Sequence, residues 1–76
     1  MKKESKRAFD VCIIGGAGHI GLPLGVSFAR VGFRTVLFDI NAKSVATIKK
    51  GKFPFKEKNG DVALRRALKS KLLTAT

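Results

Sequence analysis

Apolar positions along the chain fall into runs of two kinds, and their order is the first thing to explain. Residues 9–14 form a short, nearly continuous apolar run of strand length. Residues 19–31 then place apolar side chains at helical spacing, with Pro23 early enough in the segment to be tolerated and Gly32 as a stop. A second continuous run, residues 34–39, ends on Asp39. Asn41 is a good N-cap for a second helix over 42–50, closed by Gly51, with Val45 and Ile48 as its narrow apolar face. A loop over 52–60 carries Phe53-Pro54-Phe55. Asp61 can cap a third helix over 62–71, where Leu64, Ala67, Leu68 and Leu72 fall on one face. Residues 72–76 have the character of a further extended segment. Residues 1–8 read as a basic flexible tail.

Strand, helix, strand, helix is the order of an α/β fold with parallel strands. Between the first strand and the first helix stand Gly15, Gly16 and Gly18, followed by Gly21. Gly16, Gly18 and Gly21 make a G-x-G-x-x-G, and Asp39 follows the last of them by 18 residues at the end of the second strand. Strand, glycine turn, helix and acid in this register form the dinucleotide-binding fingerprint. Gly16 suits the tight turn, Gly18 lets a pyrophosphate approach the backbone, and Gly21 lets the helix pack closely. The N–H groups and dipole of the helix start then face the phosphates. Asp39 suits the hydroxyls of an adenosine ribose and repels a 2′-phosphate, so the expected cofactor is NAD rather than NADP. The plainer alternative is a tight strand–helix turn followed by an acid that merely ends a strand.

Length limits the rest. The chain has 76 residues, enough for one small domain at most. Only two strands are convincing, whereas the first strand of a doubly wound sheet normally has neighbours on both sides. The expected architecture is therefore a partial Rossmann fold, βαβα plus a further helix, over residues 9–76: the opening, truncated unit of a doubly wound parallel sheet. Its open sheet edge invites self-association.

The formal net charge of +11 raises a nucleic-acid reading. The basic residues are dispersed, however, and all six aromatics are Phe, none interleaved with them to stack bases. A solvated basic surface that helps to attract anionic cofactors is the simpler account. One cysteine and one histidine cannot build a zinc site of the usual kind, and one cysteine leaves no internal disulfide. Cys12, inside a strand expected to be buried on both faces, reads as a small core hydrophobe. No apolar run approaches the ~20 residues of a membrane span. No secretory apolar region follows the basic start, and the expected location is the cytoplasm.

From residue 11 to 76 the chain resembles the N-terminal part of the UDP-glucose/GDP-mannose dehydrogenase family. The resemblance is carried by Ile14-Gly15-Gly16-Ala17-Gly18-His19-Ile20-Gly21-Leu22-Pro23-Leu24, by Phe38-Asp39-Ile40-Asn41, by Gly51-Lys52-Phe53-Pro54-Phe55-Lys56-Glu57 and by Ala67-Leu68. Three positions depart from the family pattern. His19 stands where the family usually has Tyr. Ser44, with Lys43 beside it, stands where a basic residue is common near the ribose. Lys58-Asn59-Gly60 replaces Glu-Pro-Gly after Glu57.

The resemblance implies an NAD site at Gly16, Gly18, His19, Ile20, Gly21 and Asp39, joined by Lys43 if it substitutes for the basic residue absent at Ser44. His19 either adds a donor beside the pyrophosphate or only packs at the helix start. Phe53 and Phe55 read as core anchors and Glu57 as solvent-exposed. The reaction implied is oxidation of a nucleotide sugar's C6 alcohol to a carboxylate, in two steps that reduce two NAD, with a cysteine thiolate trapping the intermediate aldehyde. The family's catalytic residues lie beyond residue 76, and Cys12 does not match the family's cysteine. Two other readings keep part of this picture: the Rossmann fragment of a hydroxyacyl-CoA or hydroxy-acid dehydrogenase, and a non-catalytic module for nucleotides or polyanions.

Overall fold

A computed structural model describes residues 9–76; the basic tail expected over 1–8 lies outside the described residues. The chain runs β1 (Val11–Ile14), α1 (Gly21–Arg30), β2 (Thr35–Phe38), α2 (Ala42–Lys49), α3 (Gly60–Lys69) and β3 (Leu73–Ala75). The extended segment anticipated near residues 72–76 is thus a third strand. The sheet has 3 strands in the order β1-β2-β3. Both pairings are parallel, Val11 opposite Thr35 in one and Thr35 opposite Leu73 in the other. Every connection is therefore a crossover through helix, as parallel neighbours require.

Side chains alternate across a strand, and here the alternation separates two very different surfaces. Ile13, Thr35, Leu37, Leu73 and Ala75 are buried. They join one core cluster with Leu22, Val26 and Ala29 of α1, Val45 and Ile48 of α2, and Leu64 and Ala67 of α3. Leu22, Leu37, Ile48, Leu64 and Leu73 are almost wholly excluded from water, each worth roughly 1.5–3 kcal/mol of burial. Gly25 lets α1 settle onto the sheet, because a Cβ there would run into the Leu37 side chain. Thr35, the buried polar residue of this face, donates its hydroxyl to the Phe33 carbonyl at 3.0 Å.

On the other face Cys12, Ile14, Phe38 and Thr74 are exposed and Val36 is half-buried. The expectation that Cys12 is a core hydrophobe is therefore corrected: the thiol is free and exposed. The physical reason is one-sided coverage. All three helices pack on the Leu37 face, and no described element lies on the other.

The ends of the helices show which local signals prevailed. The Asn41 side chain caps α2 by accepting from Ser44 N at 3.0 Å, as its residue type suggests. Gly32 ends the α1 region with a φ of 102°. Asp61 does not cap α3. That helix begins at Gly60, after Asn59, and the Asp61 carboxylate instead accepts from Phe53 N at 2.8 Å, tying the 52–60 loop to the helix. No helix among the described residues is long and apolar enough to cross a membrane.

Candidate functional site

β1 runs into the glycine turn, and the turn is stitched to the end of β2. The N–H groups of Gly15 and Gly16 both donate to the Phe38 carbonyl, at 2.8 and 3.0 Å. Gly15 carries the left-handed backbone angle, φ 77°, that reverses the chain. Gly16 is required by proximity, since a Cβ there would fall 2.6 Å from the Leu37 Cβ. A Cβ on Gly21 would strike the Gly15 carbonyl, so the helix start can sit against the turn only because Gly21 has none. Gly18 is different. A Cβ there would meet only the Gly15 oxygen, at 3.3 Å, and its outer side is open.

Helical hydrogen bonding begins at this point, with Leu22 N donating to the Gly18 carbonyl at 3.1 Å. The N–H groups of His19 and Ile20, just before α1, and of Gly21, its first residue, have no acceptor among the described residues. Consecutive free donors at the positive end of a helix dipole make an anion site. The space beside Gly18 and these donors fit a pyrophosphate.

Asp39 stands opposite the turn. Its Oδ1 accepts from Asn41 N at 2.9 Å and its Oδ2 accepts from Ala17 N at 3.0 Å. The bond to Asn41 N, and then the bond to Ala17 N, hold its carboxyl below the usual aspartate range. The group is therefore a carboxylate at neutral pH. Each oxygen keeps an unused lone pair for a sugar hydroxyl. The acid thus clasps the glycine turn to β2 while remaining able to accept.

The other expected residues, His19, Ile20 and Lys43, are all exposed. Ile20 is 82% exposed at the N-cap of α1. Lys43, exposed in the first turn of α2, borders a shallow depression of about 360 Å³ with Ser44, Thr47, Phe53 and Pro54. His19 is exposed, and its ring stacks on Phe55 with centroids 4.0 Å apart and planes inclined 23°. A larger groove, about 560 Å³, lies between α1 and α3 and includes none of these residues.

Sequence reasoning missed three contributors. The Ala17 N–H is a backbone donor that no residue-type signal marks. Gly15 was assigned no separate task, although a glycine directly before the G-x-G is the available cue. Phe55 does pack on the core as an anchor, half-buried, but it also reaches the glycine turn. No periodic pattern links two residues so far apart in the chain.

Comparison with known proteins places the chain in a family. The model of the UDP-glucose/GDP-mannose dehydrogenase family, NAD binding domain, matches residues 9–76. The chain superposes on a UDP-D-ManNAc dehydrogenase from Pyrococcus horikoshii with a TM-score of 0.83 and 30% identity, covering 87% of this chain and 16% of that one. A UDP-glucose dehydrogenase from the hyperthermophilic archaeon Pyrobaculum islandicum gives a TM-score of 0.84 and 28% identity, covering 100% of this chain and 17% of that one. The chain is also 46% identical over 48 residues to the tRNA uridine 5-carboxymethylaminomethyl modification enzyme MnmG of Prochlorococcus marinus (strain MIT 9515), covering 60% of this chain and 7% of that enzyme. This chain therefore spans only a small part of each relative.

Proposed function

Because the chain belongs to the UDP-glucose/GDP-mannose dehydrogenase family, as its NAD-binding domain over residues 9–76, we propose that its glycine turn holds NAD for a nucleotide-sugar dehydrogenase. On this reading residues 9–76 are the N-terminal portion of a larger Rossmann domain. Gly16 and Gly21 keep the turn tight, and Gly18 leaves room for the pyrophosphate. The free N–H groups of His19, Ile20 and Gly21 donate to its oxygens. Asp39 accepts from the adenosine ribose hydroxyls and selects NAD over NADP by repelling a 2′-phosphate. Lys43, at the rim beside Asn41, adds positive charge near the ribose. The His19 ring supplies a further donor beside the phosphates.

NAD supplies the hydride acceptor. The reaction of the longer enzyme is oxidation of the sugar C6 alcohol to a carboxylate, two hydrides passing to two NAD and water supplying the second oxygen. The groups that take protons and trap the aldehyde are not in this chain. Its part is to bind and orient the cofactor.

The observation that carries the reading is the pairing, on one turn, of free N–H donors with an ionised Asp39 that keeps spare acceptor capacity. Calorimetry with NAD and NADP tests it. Saturable NAD binding is expected, weaker for NADP and weaker again in Asp39→Ala. A folded chain that binds neither nucleotide would overturn the reading. Among the described residues β1 has a strand partner on one side only, which supports one more expectation, self-association between sheet edges. Sedimentation velocity checks it, and a strictly monomeric chain at high concentration would count against it.

A further inference from the structure

We propose that Phe55 is a positioning residue of the cofactor site: it holds the His19 ring against the glycine turn, so that the imidazole and the free N–H groups beside it meet the pyrophosphate as one preset surface. This rests on the reading of the turn as an NAD site.

The stack joins two segments that are distant in sequence, with centroids 4.0 Å apart and planes inclined 23°. Phe55 is itself held. Phe53 meets it edge-on, centroids 5.3 Å apart at 69°. The Phe53 N–H donates to Asp61 at 2.8 Å, and Asp61 lies in the first turn of α3. Both phenylalanines pack against the core. A line of contacts therefore runs from α3 through Asp61, Phe53 and Phe55 to the side chain of His19.

His19 is exposed, and the ring stack is the contact that restrains its side chain among the described residues. An unrestrained histidine on an open turn would lose rotamer freedom each time a ligand engaged it. A ring already stacked has lost that freedom before the ligand arrives. The imidazole N–H then presents a donor to a phosphate oxygen from a fixed place. A pure core anchor would have no need of an exposed partner on its open side. Phe55 has one, and that partner is the residue whose backbone N–H opens the anion site.

The test is calorimetry with three ligands, NAD, ADP and AMP, on the unaltered chain and on Phe55→Leu, His19→Gln, the double variant and Phe55→Tyr. NAD and ADP carry the pyrophosphate; AMP reports the adenosine side. Phe55→Leu and His19→Gln are each expected to weaken NAD and ADP by about three- to tenfold and AMP by less than about twofold. The double variant should be no weaker than the weaker single one, because both remove the same preset ring. Phe55→Tyr, which keeps a stacking face, should retain most of the affinity.

Three results overturn the proposal: unchanged NAD affinity in Phe55→Leu, AMP weakened as much as NAD, or additive losses in the double variant. Circular dichroism verifies folding. Should Phe55→Leu unfold, His19→Gln and Phe55→Tyr decide alone, since the first alters an exposed residue and the second keeps the ring. An unaltered chain that does not bind NAD removes both the reading and the proposal. An unaltered chain that binds NAD, with all variants equal to it, removes the proposal alone.

Discussion

The two faces of the sheet are made from the same strands and differ in almost everything else. On one, Ile13, Leu37 and Leu73 meet three helices and are sealed from water. On the other, Ile14 is 75% exposed and Phe38 42% exposed, and Cys12 lies open between covered neighbours. Residue type does not distinguish the faces, because both are apolar. Coverage does. The apolar character of the bare face is what a sheet with helices on both sides carries, and the described elements supply helices to only one. The proposed NAD site draws its rigidity from the covered face: Leu37 lies beneath Gly16 and Gly25, while Phe38 and Asp39 tie down the turn from the end of the same strand.

The sharpest way to test this contrast is to cut a side chain from the covered face. Leu37→Ala should cost about 2–5 kcal/mol, because it empties a site surrounded by α1 and the turn. Urea unfolding followed by circular dichroism measures it, and a loss below about 1 kcal/mol would mean that the helices are not seated as described. Next in size is the reverse change. Gly25→Ala adds a Cβ where Leu37 already stands and should cost about 1–3 kcal/mol by overpacking, read from the same transition.

The third test concerns the seam between turn and strand. Because backbone hydrogen bonds lower the Asp39 pKa in the folded chain, its contribution to stability is complete above the ordinary aspartate pKa of about 3.9. It is lost as pH falls through the lowered folded value. Asp39→Asn should therefore unfold at a lower temperature than the parent near pH 7. The difference should close on acidification below pH ~4, and a gap that persisted unchanged would remove the electrostatic part of the clasp. The smallest effect is expected on the bare face. Phe38→Ser should alter stability by no more than about 0.5 kcal/mol. Cys12 should alkylate with maleimide in the native chain nearly as fast as in urea. Slow labelling would show that something covers that face.

Much of this was legible in the residues. The G-x-G-x-x-G between an apolar run and a helical one, with Asp39 closing the next run, located the glycine turn and the acid bonded to it because each of those roles is local and tied to residue type. Asn41 and Gly32 marked element ends for the same reason. The errors and omissions share another cause. Whether Cys12 is buried depends on a second layer of helices, which β1 itself does not encode. Whether Asp61 caps its own helix or reaches Phe53 depends on how the 52–60 loop returns to the top of the sheet. The meeting of His19 with Phe55 depends on the same return. Such contacts are decided by packing between distant segments, and a reading of local pattern has no access to them.

The register of the sheet also orders events in time. β1 and β2 are partners across 24 residues, Val11 to Thr35, whereas β2 and β3 are partners across 38, Thr35 to Leu73. Closing the longer circuit costs only about 0.4 kcal/mol more in chain entropy, but it cannot begin until β3 has left the ribosome. The shorter circuit encloses the glycine turn and α1, and β2, which closes it, ends at Phe38 with Asp39 directly after. Among the described strands, the pairing that frames the proposed cofactor cradle is thus the first that can close during synthesis, and β3 is added to it afterwards.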